Sequence, residues 1–150
     1  MKFMQQFLHT FKEDLKNYLV YNKFATTQIY YKSEIYTYTT LKLPAVVFAL
    51  KSKGEIVLRC KNYSFGVGLD FLVYTHCSDH PTLGLEVATL IVNFLVLNYS
   101  LESFTIDDSQ VVDEDVQDMK MVTVVKVNLG IRINGSDLGL LCLRKEKISD

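Results

Sequence analysis

The chain has 150 residues and a mass of 17.2 kDa, which is one ordinary domain with no room for two well-cored ones. Apolar residues make up 49% and charged residues 22%, with a mean hydropathy of +0.13, enough for a packed core and not the composition of a disordered chain. Lys plus Arg is 16 and Asp plus Glu is 17, so the net charge is −1, which argues against a generic binder of nucleic-acid backbones. Three Cys without a CxxC pair argue against both a disulfide framework and a zinc finger.

The stretch Met1 to Phe11 has Lys2 as its one cation and no continuous apolar segment, so no signal peptide is expected there. Leu83 to Leu97 is the most apolar stretch. It contains Glu86 and Asn93 and is shorter than the roughly 20 apolar residues a spanning helix needs. It is therefore expected to be a buried helix of a soluble domain, made in the cytosol, where thiols stay reduced.

Phe3, Phe7, Leu8, Phe11, Leu15, Tyr18 and Leu19 recur at steps of three and four, with Lys12, Glu13, Asp14, Lys16 and Asn17 opposite. This spacing predicts a first helix over about 2–20. Gln28–Tyr31 and Glu34–Leu41 are rich in β-branched and aromatic residues and are predicted as strands. Leu43–Leu50 follows, with Pro44 at a strand start and then an apolar run expected of a strand covered on both faces. Ser52-Lys53-Gly54 predicts a turn, and Ile56–Cys60 a short strand.

Residues 64–76 alternate: Phe65, Val67, Leu69, Phe71 and Val73 share one face, and Ser64, Gly66, Gly68, Asp70 and Leu72 the other. Two glycines on one face suggest close approach of another element or a bulge. Ser78, Asp79 and Pro81 predict the start of a second helix, over about 80–97, apolar nearly all round. Ser103–Ile106 reads as a short strand, and 107–118 as an acidic connection. Met119–Ile133 is a second long alternating strand, with Val125, Val127 and Leu129 on one face and Val122, Val124 and Lys126 on the other. Asn134-Gly135 predicts a hairpin into a last strand, Leu138–Leu143, and a frayed tail over 144–150. The order predicts a single α+β domain over 1–150, with a mainly antiparallel sheet and both helices packed on one face.

His76, Cys77 and His80 sit beside Asp79 and have the ligand types of a metal site. With no second ligand pair elsewhere, a strand end followed by a helix cap is the better reading. His9 beside the first apolar stripe reads as a boundary residue. No G-x-S-x-G and no glycine-rich phosphate loop is present. Tyr30, Tyr31, Tyr36 and Tyr38 could stack on bases, but Lys32 and Lys42 are too few for a basic groove, and sheet filling is favoured. No catalytic residue, metal or cofactor is assigned. The acidic stretch has Asp107, Asp108, Asp113, Glu114, Asp115 and Asp118 and no cation. It lacks the spacing of a calcium loop, so a solvated loop is the default and a charged surface facing a partner the alternative. The apolar content exceeds what a monomer of this size covers easily. Homo-oligomerisation is expected, with Val122, Val124, Lys126, Gly66 and Gly68 as the candidate interface strand positions.

In its order of elements the chain resembles the tail terminator and tail-completion (neck) proteins of long-tailed bacteriophages. The features that carry this are the amphipathic first helix, the Leu43-Pro44-Ala45-Val46 strand start, the long strand 64–76, the helix led by His80-Pro81, the acidic stretch and the long strand 119–133. The chain departs from that pattern in its longer Tyr-rich segment, 26–41, and in the added strand 138–143. The resemblance implies a structural virion protein without catalysis, made in the host cytoplasm. It would form a hexameric ring that caps the tail tube and joins it to the head–neck. The partners would be the tube protein and a neck or head-completion protein. DNA would pass through the lumen without sequence-specific binding, and no membrane is involved. The six carboxylates would then face the lumen or a partner, keeping DNA from sticking. The competing expectation is a small dimeric α+β binding or adaptor protein; an enzyme ranks last, because no constellation of residues supports it.

Overall fold

The computed structural model describes residues 2–32, 42–59, 62–76, 78–111 and 120–134. Helix α1 spans Lys2–Tyr21. Its stripe of Phe11, Leu15 and Leu19 is fully buried, as the three- and four-residue spacing requires. The helix ends in a left-handed residue, Lys23 (φ 71°). Around it the Lys23 N–H donates to the Val20 carbonyl and the Phe24 N–H to the Leu19 carbonyl. That pair of bonds satisfies carbonyls the helix would otherwise leave open and turns Phe24 back onto the core. Lys16 fastens the exit, its Nζ donating to the carbonyls of Ala25 and Thr27.

Six strands follow: β1 (Gln28–Tyr31), β2 (Ala45–Lys53), β3 (Val57–Arg59), β4 (Asn62–His76), β5 (Ser100–Val111) and β6 (Lys120–Asn134). The second helix, α2 (Leu83–Asn98), lies between β4 and β5 in the chain. The sheet order is β1-β2-β4-β6-β5, with β3 beside β4. The β1–β2 pair is parallel and every other pair is antiparallel. The protein is thus α+β with a mainly antiparallel, mixed sheet.

The β4–β6 ladder runs unbroken from Asn62↔Asn134 to His76↔Lys120 and is the spine of the sheet. Its alternation follows the sequence pattern. Phe65, Val67, Leu69, Phe71 and Val73 of β4 and Val125, Val127, Leu129 and Ile131 of β6 face the helices and join one core with Phe11, Leu15, Leu19, Val87, Ile91 and Leu95. Both helices therefore cover the same face. Phe11 sits at the centre of an aromatic cluster, with ring centroids 5.4 Å from Phe48, 5.9 Å from Phe71, 5.7 Å from Phe94 and 5.7 Å from Tyr99. Tilted and edge-on pairs at these distances add specific attraction to the area they bury.

Several expected boundaries are corrected. Ser52-Lys53-Gly54 is not a turn. β2 runs through Lys53, and the Gly54 N–H then donates to the Gly66 carbonyl at 2.7 Å, so β2 and β3 lie in succession along β4. The strand predicted over 56–60 is the three-residue β3. Helix α2 begins at Leu83 rather than near 80, with Thr82 as its N-cap and no side-chain cap bond. The expected capping groups are used in the preceding turn, where the Asp79 carboxylate accepts the His76 N–H at 2.9 Å. The strand predicted over 103–106 is the twelve-residue β5 and takes in Asp107 and Asp108. The predicted strands 34–41 and 138–143, the hairpin turn beyond Asn134, the tail 144–150 and most of the acidic stretch, including Asp113, Glu114, Asp115 and Asp118, lie outside the described residues.

Replacing Phe11 with Ala removes the ring on which Phe7, Phe48, Phe71, Phe94 and Tyr99 converge. An unfolding free energy lower by about 3–5 kcal/mol is expected, as for other buried Phe→Ala changes. Urea denaturation followed by circular dichroism measures it.

Candidate functional site

The side of the sheet away from the helices divides into three zones. At one end Tyr30, Ala45 and Val47 form a small second core, with Leu43, Leu72 and Tyr74 packed on it. The ladder sets Val124 beside Leu72 and Val122 beside Tyr74 on the same face. Burial holds the Tyr74 phenol above its ordinary pKa. A charged row crosses the middle, where Lys51 pairs with Asp70 at 3.7 Å and Asp70 is the register partner of Lys126. Beyond it the face is poor in side chains. Gly66 lies opposite Gly130 and Gly68 opposite Asn128, and a Cβ on Gly68 would meet the Ser52 hydroxyl at 2.6 Å. This explains Gly68, where the neighbouring strand's serine occupies the space a side chain would need; a Cβ on Gly66 would meet only the Leu129 carbonyl oxygen, at 3.8 Å.

Two shallow depressions lie on this floor. One of about 580 Å³ is lined by Glu55, Ser64, Gly66, Glu102, Gly130 and Arg132. A smaller one of about 300 Å³ lies beside Ser52, Gly68 and Asn128. Across the edge of the sheet, a groove of about 800 Å³ runs between the start of α1, the end of α2 and the end of β6, with Gln6, Phe7, Thr10, Leu97, Tyr99 and Arg132 along its walls. Burial, and secondarily the Asp14 carboxylate, push the Tyr99 phenol up to about 12. At neutral pH it is a protonated donor and not a nucleophile.

The candidate residues of the sequence are placed as follows. Of the interface set, Lys126 is exposed, but Val122 is only 6% exposed in the single chain and so is already covered. Gly66, Gly68, Val122, Val124 and Lys126 do share one face, as the alternation requires. Of the acidic set, Asp107 is exposed on β5, opposite Val124 in the ladder. His76 and His80 are each closed onto their own turn. Nδ1 of His76 accepts the Ser78 N–H at 3.0 Å, and Nδ1 of His80 accepts the Thr82 N–H at 3.2 Å. Among the described residues no group of three or more His, Cys, Asp and Glu side chains comes together as a metal site would need. Cys77 lies outside the described residues. Among the described residues no helix is long and apolar enough to cross a membrane.

Two features had little signal in the sequence. The first is apolar surface left outward on α2 and β5: Leu97 is 71% exposed, Val96 59%, Leu85 50% and Phe104 48%. An all-round apolar helix announces a covered surface but does not say which side its own sheet takes. The second is the length of β5. Register shifts between Leu101 and Ser103 and between Asp107 and Gln110 break the alternation that would have marked it as a long strand. No protein-family model matches the chain, and no curated protein matches it.

Tyr99 gives a pH prediction. Its pKa in the folded chain is above that of an unfolded tyrosine, so the stability tied to it is whole below about pH 10 and is lost as pH rises toward 12. Unfolding at stepped pH is expected to show this loss, with Tyr99→Phe flattening the profile between those values.

Proposed function

We propose that the protein is a structural ring subunit of a long-tailed phage virion, similar in role to the tail terminators. It would cap the tail tube and join it to the head–neck without catalysis. The observation that carries this reading is the outward apolar surface of Val96 and Leu97 near the end of α2, with Phe104 on β5. Large aliphatic and aromatic side chains left this exposed mark an interface, and a second copy of the chain is the partner always at hand. The α+β architecture, with two helices on one face of a mainly antiparallel sheet, is compatible with the family the sequence resembles, although fold alone does not set function. In the ring, the acidic stretch that begins at Asp107 would face the lumen or a neck partner, where negative charge repels passing DNA. The partners proposed are the tail tube protein, a neck protein and further copies of this chain, with the virion as the place of action.

The test is the mass of the purified full chain by light scattering and native mass spectrometry, alone and with tail tubes. A six-fold assembly is expected, visible as a ring by electron microscopy. Val96→Glu with Leu97→Glu is expected to weaken association by at least tenfold, since each aliphatic side chain buried is worth about 1.5–3 kcal/mol. Circular dichroism of that variant should stay unchanged. A dimer that grows no further, with or without tubes, contradicts the ring and leaves the dimeric adaptor.

A further inference from the structure

The groove beside α1 and the larger depression on the sheet floor share a wall. Ser100, Gly130, Ile131 and Arg132 line both, so the two meet along the end of β6. Their volumes, about 800 and about 580 Å³, are space that no atom of the chain fills. Gln6, Glu55, Leu97, Glu102 and Arg132 are exposed around it.

Charges of both signs converge on this junction without neutralising one another. Glu55 and Glu102 stand on the floor side, and Arg132 on the shared wall. Among the described residues no ion pair joins Arg132 to either carboxylate. Gly130 holds the arrangement open. A Cβ there would meet Oε1 of Glu102 at 3.1 Å and Cβ of Ser100 at 3.6 Å, so bare backbone is what lets the carboxylate lie over β6. On the groove side the Tyr99 ring is fixed edge-on or tilted against Phe7, Phe11 and Phe94. Its hydroxyl makes no hydrogen bond among the described residues and is a protonated donor at neutral pH. Asp14 acts on Tyr99 from α1 but is not on the groove's wall. Phe7 and Leu97 make the groove's far side apolar.

These groups select the occupant. A plain anion on Arg132 would sit near Glu102 and Glu55, and a plain cation near the carboxylates would sit close to Arg132. A ligand that carries both charges on one carbon satisfies each, and an apolar substituent on that carbon has the groove to enter. We propose that the junction binds the zwitterion of an α-amino acid with an apolar side chain. Its carboxylate lies on the Arg132 guanidinium within reach of the Tyr99 hydroxyl, its ammonium toward Glu102 and Glu55, and its side chain along Phe7 and Leu97. Arginine suits the carboxylate because its paired N–H groups match the two oxygens. A few convergent polar groups beside an apolar wall are the usual make-up of a small-molecule site. The inference goes beyond the ring reading and does not depend on it.

Isothermal titration calorimetry of the full chain with L-phenylalanine tests it. A dissociation constant of about 1 mM or tighter is expected for a ligand of about a dozen heavy atoms. Phenylalanine amide, which lacks the carboxylate, N-acetylphenylalanine, which lacks the ammonium, and glycine, which lacks the side chain, are each expected to bind at least tenfold more weakly. Arg132→Gln should erase the difference between phenylalanine and its amide. Glu102→Gln should shrink the difference between phenylalanine and its N-acetyl form. Both residues are exposed, so circular dichroism of the variants should stay unchanged. No heat of binding at about 10 mM phenylalanine overturns the inference. So do analogues that bind as tightly as phenylalanine, or variants that bind it unaltered. Light scattering on the same samples separates the two readings. A six-fold assembly that binds no amino acid leaves the ring standing, and a chain that binds phenylalanine but is not six-fold supports this site and counts against the terminator role.

Discussion

Two helices cover one face of the sheet, and this constraint governs the rest of the structure. The strands supply more apolar surface than that single layer absorbs. Val46 and Phe48 of β2 point to the helices while Ala45 and Val47 point away, and all four are buried. The second face therefore carries a small core of its own around Tyr30, Val47, Leu72 and Tyr74. Further along, the same face gives way to a charged row and then to glycine and serine. Part of the surplus stays exposed, at Val96 and Leu97 on the end of α2 and Phe104 on β5, and also at Tyr21 on α1 and Leu58 on β3.

The position of that surplus follows from the core. Phe11 draws Phe48, Phe71, Phe94 and Tyr99 around one ring, which fixes the rotation of α2 through Phe94 and the exit from α2 through Tyr99. With Phe94 and Leu95 turned inward, Val96 and Leu97 turn outward. Strand β5 follows at once in the chain and packs against α2, while Leu97 lines the groove between the start of α1, the end of α2 and the end of β6. Association that covers Val96 and Leu97 would bury apolar side chains that the isolated subunit leaves exposed.

Much of the fold was legible where a period was strict. The alternation of 65–73 and of 121–131 placed both faces of β4 and β6 correctly, and the three- and four-residue spacing from Phe7 to Leu19 placed α1. Legibility failed where backbone geometry departs from the regular period. Bulges hid the length of β5, and a backbone bond between Gly54 and Gly66 carried the chain through a sequence that reads as a turn. Asp79 was expected to cap a helix and instead closes a turn with His76, because a side chain's partner depends on a local loop shape that residue types do not specify. The candidate surface was half legible. Excess apolarity could be counted from composition, but Val122, expected at an interface, is covered within the chain, while Val96 and Leu97, not among the expected interface positions, are exposed.

Hydroxyl-radical footprinting of the full chain across a range of protein concentrations tests the central claim most directly. If the flank of α2 and β5 is the surface the molecule uses, modification of Val96, Leu97 and Phe104 falls as the assembly forms, while Tyr21, exposed at the end of α1, keeps its reactivity. Protection that never develops at those three side chains, in a chain that associates or in one that stays monomeric even on tail tubes, would contradict the account.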